Sequence, residues 1–199
     1  MLRSRVTGVV LAAGYSRRLG TPKQLLPLGD TTLLGATLAM ARRCPFDQLI
    51  VTLGGAADEV LEKVELDGLD IVLVDDAGLG CSSSLKSALT WVDPTAEGIV
   101  LMLGDQPGIT ASAVASLIAG GRGATIAVCE YANGIGHPFW VSRGVFGDLA
   151  ELHGDKGVWR LIESGRHGVR RIRVDADVPL DVDTWDDYER LLASVVRLE

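Results

Sequence analysis

Three groups of residues in this chain have types and spacings that suit chemistry, and each lies at the end of an apolar run or near the chain end. The first is Leu11-Ala12-Ala13-Gly14-Tyr15-Ser16-Arg17-Arg18-Leu19-Gly20-Thr21-Pro22-Lys23, a run of small residues interrupted by the cations Arg17, Arg18 and Lys23. Open backbone N–H groups in such a loop, together with positive side chains, make a cradle for a polyphosphate. It is not a Walker A loop, because Gly14 and Gly20 are six positions apart and Lys23 does not directly follow the second glycine. A plain surface turn is the alternative reading.

The second group follows the apolar run 98–103, where Gly104-Asp105-Gln106-Pro107 delivers a carboxylate off a strand. Asp105 there suits Mg²⁺, which keeps several waters and takes one or two carboxylates plus phosphate oxygens. The plain alternative makes Asp105 a turn-former before Pro107. The third group is Asp175-Ala-Asp177-Val-Pro-Leu-Asp181-Val-Asp183-Thr184, ahead of a final helix. Asp183 or Thr184 can cap that helix, and Asp186 and Asp187 suit its positive start. Asp181 and Asp183 differ by two positions, so in an extended approach they share a face, and either can complete a metal site with Asp105.

Two further segments are chemically suggestive. Asp75 to Leu89 joins a strand to a helix and contains Gly78-Leu-Gly80-Cys81-Ser82-Ser83-Ser84; Ser82 reads as a helix cap, while Ser83 and Ser84 can offer hydroxyls and amides to a nucleotide. Cys81 reads as a small buried residue, with a reactive thiol as the alternative. His137, in Gly136-His-Pro-Phe139, reads either as a packing histidine or as a contact to a second substrate.

The elements that must position these residues follow from hydrophobic pattern. Short runs rich in branched residues at 6–11, 48–53, 70–74, 98–103 and 125–130 predict buried strands. Helical patterns cover 31–43, with a threonine cap and Pro45 beyond its end, then 56–64, 82–91, 143–152 and 157–164, with a last helix from about 184. A further strand is expected at 169–174, and 131–141 reads as a hairpin or lid. Strands alternating with helices imply an α/β fold: a three-layer, Rossmann-like, mostly parallel sheet with helices on both faces. Ligands then belong at the carboxyl ends of the strands.

At 199 residues, 47% hydrophobic and 23% charged, the chain suits one core and a single domain. A net charge of −7 disfavours a nucleic-acid partner, so any bound phosphate must meet a local cluster of cations. Cys44, Cys81 and Cys129 form neither a disulfide framework nor a zinc spacing, and the opening apolar run is too short for a signal peptide or membrane span. A cytoplasmic location is expected.

Taken in order, these segments resemble the cytidylyltransferase branch of the molybdopterin nucleotidyltransferase (MobA-like NTP transferase) family over nearly the whole length. The similarity is carried by Leu11 through Lys23 running into Gln24-Leu-Leu-Pro-Leu28, by Gly80-Cys-Ser-Ser-Ser-Leu85, Gly104-Asp-Gln-Pro107, Gly136-His-Pro-Phe139 and His153-Gly-Asp-Lys-Gly157. Trp185 and Asp186 stand where the family has proline and glutamate, and Cys81 where methionine or another apolar residue is common.

The resemblance implies a nucleotide-diphospho-sugar transferase-like fold, with a nucleotide-binding half to about residue 110 and an acceptor half over 111–199. It implies attack of the molybdopterin terminal phosphate on the α-phosphorus of CTP, with some use of GTP, Mg²⁺ as cofactor, and a molybdenum hydroxylase as recipient of the product. Lys23, Arg17 and Asp105 would be catalytic; Leu11, Ala12, Ala13, Gly14, Ser83 and Ser84 would join Lys23 in holding nucleotide; His137 would meet the acceptor.

Two other classes compete. Strand 70–74 followed by Gly78-x-Gly80-x-x-Ser83 imitates a dinucleotide-binding turn, and relatives of the nicotine-blue reductase type exist, so an NAD(P)H-dependent oxidoreductase is one rival; the third glycine is a serine and three residues intervene after the strand, which weighs against it. A non-catalytic carrier of molybdenum cofactor is the other, and the presence of both Lys23 and Asp105 weighs against that.

Overall fold

The computed structural model describes residues 5–75, 80–154 and 157–195. In chain order it contains β1 (Arg5–Ala12), the short pair β2 (Pro27–Leu28) and β3 (Thr31–Thr32), α1 (Leu33–Ala41), β4 (Gln48–Leu53), α2 (Ala57–Lys63) and β5 (Asp70–Leu73). These are followed by α3 (Cys81–Leu89), β6 (Ala96–Leu103), α4 (Ala111–Gly121), β7 (Ile126–Tyr131), β8 (Gly134–Ser142), α5 (Phe146–Ala150), α6 (Gly157–Ser164), β9 (Val169–Arg173) and α7 (Trp185–Val195). Seven strands form one sheet in the order β5-β4-β1-β6-β8-β7-β9, with β8 alone antiparallel to its neighbours. The expected mostly parallel α/β sheet is therefore present.

Strand alternation splits the core into two layers. Val6, Val10 and Ala12 of β1, with Val100 and Met102 of β6, pack on one face against Leu34 and Leu38 of α1, Val60 of α2, and Val114 and Leu117 of α4. Val9 and Leu11 of β1, with Ile99 and Leu101 of β6, pack on the other against Leu85 of α3, Leu149 of α5, and Val158 and Leu161 of α6. A smaller cluster joins Leu191 of α7 and Val182 to Leu19, Leu26, Leu28 and Leu33, so the C-terminal helix rests on the segment that follows the first loop.

Several boundaries differ from the sequence reading for local reasons. The first helix begins at Leu33, because Thr32, not Thr31, caps it by accepting from Gly35 N at 3.0 Å, while Thr31 pairs with Leu28. Helix 143–152 is a 3-10 turn over Arg143–Val145 followed by the single-turn α5. Ser82 is not a cap: its hydroxyl donates to Gly154 O at 2.5 Å, and Gly80 occupies the N-cap of α3. Helix α4 has no counterpart in the sequence reading; its alanines and glycines blur the apolar stripe, and Thr110 caps it by accepting from Ala113 N.

The segment 131–141 is the hairpin and not a lid. Strand β8 returns between β6 and β7, with Phe139, Trp140 and Val141 in the core. Gly98 and Gly121 make room for the Trp140 ring, since a Cβ at either would come within 2.8 Å of it. Among the described residues no helix is long and apolar enough to cross a membrane.

His137 lies on this buried strand, its ring centroid 4.2 Å from that of Phe139, and burial pushes its imidazole down to about 3. Below its ordinary value of 6.5 the unfolded chain takes up a proton that the folded chain refuses. Stability from neutral His137 is thus complete above pH 6.5 and declines as pH falls toward 3. Urea midpoints at pH 7 and pH 5 should fall further for the wild type than for His137→Gln; equal slopes would show that His137 does not titrate out of the core.

Candidate active site

Strand β1 ends at Ala12, and the chain then turns through the loop carrying the cations. The loop is held by specific bonds. Gln24 Nε2 donates to Ala12 O at 2.7 Å and to Gly14 O at 3.0 Å, and Lys23 N donates to Ser16 Oγ at 2.9 Å. Ser16 adopts φ 52°, a left-handed conformation rare outside glycine, which places its hydroxyl for that bond. From the sequence Gln24 stood only as part of the run that carries the family resemblance, with no role of its own, and the amide's reach back to Ala12 is a tertiary fact.

The Lys23 ammonium is the centre of the site. It donates to Asp105 Oδ2 and, at 2.8 Å, to Asp183 Oδ1, while Asp183 Oδ2 accepts from Arg18 at 2.7 Å. Burial alone would lower the Lys23 pKa, but the charge and hydrogen bond of Asp105, followed by those of Asp183, hold it above 10.5. Burial likewise raises Asp183, and Lys23 followed by Arg18 brings its carboxyl below the ordinary value. Asp105 Oδ1 is buried with no hydrogen-bond partner among the described residues.

The capping role goes to Thr184. Its hydroxyl accepts from Asp187 N at 3.2 Å, and Asp187 Oδ2 accepts in return from Thr184 N at 2.9 Å. That reciprocal pair leaves the Asp183 carboxylate for Lys23 and Arg18. Residues 177–183 form no strand, and the two aspartates line different spaces. Asp183 lines the larger cleft and Asp181 the smaller pocket beside it. Burial, then the charges of Asp105 and Asp183, push the Asp181 carboxyl up to about 6.

The larger cleft has a volume of about 540 Å³ and is lined by Leu11 through Arg18, Lys23, Gln24, Asp105 and Asp183, with Gly80, Cys81 and Ser84 at the start of α3. The N-terminus of α3 therefore faces the same space as the cations, a combination suited to anions. Ser84 lines it, and Ser83 is not among the lining residues. Arg17 lies over the Tyr15 ring, 5.7 Å from its centroid. Ala13 lines the cleft with 3% of its surface exposed and packs on Val74.

The smaller pocket, about 220 Å³, shares Cys81 and Leu103 with the cleft and takes His137, Gln106 and Asp181 into its wall. Gln106 escaped the sequence reading, which assigned no role to the residue after Asp105. Gly78 of the dinucleotide-like turn, and Asp155 and Lys156 of the His153 motif, lie outside the described residues. Among the described residues no three His, Cys, Asp or Glu side chains form a metal cage, and no cysteine is in a disulfide.

Comparison with known proteins agrees with this geometry. The model of the MobA-like NTP transferase domain matches residues 8–171. The crystal structure of Rv0371c from Mycobacterium tuberculosis H37Rv superposes with a TM-score of 0.93 at 62% identity, covering 97% of this chain and 100% of that one. A second structure of Rv0371c, in complex with manganese, gives 0.88 at 59% identity over 96% of this chain and 100% of that one. A nucleotidyl transferase from Methanothermobacter thermautotroptrophicus gives 0.83 at 25% identity over 98% of this chain and 99% of that one. Nicotine blue oxidoreductase of Paenarthrobacter nicotinovorans is 31% identical over 94% of this chain and 96% of its own length. A cationic loop at the end of β1, within a family match that spans most of the chain, places the protein: it belongs to the MobA-like NTP transferase domain family and is a nucleotidyltransferase.

Proposed function

We propose that the chain moves CMP from CTP onto the terminal phosphate of molybdopterin or the molybdenum cofactor, releasing pyrophosphate. The observation that carries this reading is the Lys23 ammonium between Asp105 and Asp183, set where a cleft of nucleotide size adjoins a second pocket. The acceptor phosphate is already anionic, so no general base is required and catalysis rests on positioning and charge. The 12–18 loop and the start of α3 would hold the triphosphate. Arg17 and Lys23 would neutralise it, and His137 would meet the acceptor.

The residues fit a divalent ion. Asp105 offers a buried carboxylate oxygen that lacks a partner among the described residues, Asp183 lines the same cleft, and two carboxylates are what Mg²⁺ takes beside phosphate oxygens. Asp181, on the pocket side, is the alternative second ligand. The manganese complex of Rv0371c supports a divalent ion in this family. Bound Mg²⁺ would supply charge neutralisation at the phosphate oxygens. One catalytic unit over 1–199, acting in the cytoplasm and handing its product to a molybdenum hydroxylase, completes the reading.

The likeness to nicotine blue oxidoreductase favours a second reading, reduction with NAD(P)H. Pyrophosphate release and NAD(P)H oxidation, measured side by side with CTP, Mg²⁺ and molybdopterin, separate the two. Molybdopterin-dependent pyrophosphate release is the expected result; NAD(P)H oxidation without it would overturn the transferase specificity proposed here.

Asp105→Asn should keep the fold and lower turnover by about 100-fold or more, the scale of losing a charge partner in the transition state; full Mg²⁺-dependent activity would refute the metal role. Lys23→Ala should depress kcat more than it raises KM for CTP, and a pure KM effect would make it a binding residue only. Thr184→Ala should cost about 1 kcal/mol of stability with kcat nearly intact, whereas Asp183→Asn should lose turnover. Chemical denaturation beside kinetics distinguishes them, and equal turnover in the two variants would remove Asp183 from the site.

Base choice is expected to rest on Ala13, whose buried methyl leaves less room for a purine than glycine would. A misfit of this size supports roughly 10- to 200-fold preference for CTP over GTP in kcat/KM. Ala13→Gly should narrow that ratio. Preference for GTP in the wild type would reject cytidylyl transfer, and an unchanged CTP preference in the variant would shift selection to the segment 80–84.

A further inference from the structure

We infer that the smaller pocket binds a flat, uncharged ring carrying at least one N–H donor, and that Gln106 is the residue that selects it. This rests on the acceptor reading above, since the pocket would take the part of the acceptor remote from its phosphate. Gln106 is 2% exposed, lines the pocket, and holds its Oε1 without a hydrogen-bond partner among the described residues. Its Nε2 has a long bond to Pro179 O, at 3.5 Å, and the side chain also hydrogen-bonds the Asp181 carboxylate, so the amide's donor end is engaged while its acceptor end is not. A buried carbonyl oxygen left unpaired is unfavourable, so a donor delivered into this space gains the interaction that the protein itself does not supply.

The remaining wall fixes the character of the ligand. Phe139 and Trp159 meet edge to face with centroids 5.0 Å apart, and Leu101 and Val178 complete apolar surfaces suited to a ring. His137 has no hydrogen-bond partner for its ring among the described residues, and burial keeps it neutral. Among the described residues no lysine or arginine lines the pocket, and Asp181 stands at its wall, so an anionic group is directed instead to the cleft that holds Arg17 and Lys23. An apolar cavity of about 150 Å³ accepts benzene. A pocket of about 220 Å³ is therefore a space for one or two rings.

The test is equilibrium binding, by ligand-observed NMR titration, of two bicyclic probes of similar size: 6-hydroxymethylpterin, which carries N–H donors, and quinoxaline, which carries none. The wild type should bind the first at least about 10-fold more tightly. Gln106→Met, which nearly conserves volume, should abolish that difference while leaving CTP affinity unchanged, since the amide and not the bulk is removed. Equal binding of both probes by the wild type, or retained selection in Gln106→Met, would overturn the inference. Weakened CTP binding in Gln106→Met would also overturn it, by showing that the residue acts through Asp105. Gln106-dependent selection without cytidylyl transfer to molybdopterin would reject the proposed function and leave the pocket assignment standing; transfer without selection would do the reverse.

Discussion

One buried cation governs the architecture of the site. Lys23 is largely shielded from water, and a wholly unpaired ammonium there would be costly, so its two carboxylate partners jointly offset its burial and are candidate chemistry as well. They come from 82 and 160 residues away along the chain. Asp105 arrives because β6 lies beside β1 in parallel register, with Leu11 opposite Leu103 and Gly104 N donating to Leu11 O at 2.9 Å. Asp183 arrives because α7 docks Leu191 on the leucines that follow the loop, and Tyr188 fixes its approach by donating to Pro27 O at 2.5 Å.

The same arrangement explains why the two C-terminal carboxylates differ. Asp183 is drawn down by Lys23 and Arg18, whereas Asp181 has lost solvent and faces two negative neighbours, which drives its carboxyl the other way. Gln106 stands between these environments, next to Asp105 in sequence and beside Asp181 in the pocket wall. The larger cleft and the smaller pocket are thus separated by one turn of backbone after β6, a separation that the proposed reaction would use to bring nucleotide and acceptor to a common centre from two sides.

Reversal of one strand builds the second side. Parallel βα units supply the nucleotide cleft at the carboxyl ends of β1 and β6, as open α/β sheets do. Strand β8 runs the opposite way, so its N-terminal portion, with Gly136 and His137, lies at the end of the sheet where β6 finishes. Trp140 anchors that reversal in a slot made by Gly98 and Gly121, and Phe139 turns to the other layer to line the pocket.

Much of this was legible in the sequence because strand identity, loop chemistry and helix caps are set by neighbours in the chain. The branched runs that became β1, β4, β5 and β6, the cationic loop through Lys23, and the carboxylate of Asp105 follow from local pattern alone. Helix α4 was hidden because alanine and glycine carry little periodic signal; the Asn-Gly turn announced the hairpin of β7 and β8, but the insertion of β8 between β6 and β7 depended on pairing partners. The choice between Asp183 and Thr184 as cap, the division of Asp181 from Asp183, and the solitary oxygens of Asp105 and Gln106 belonged to tertiary structure. Each depends on what burial removes and on which distant group replaces it, and neither quantity is a property of a residue and its sequence neighbours.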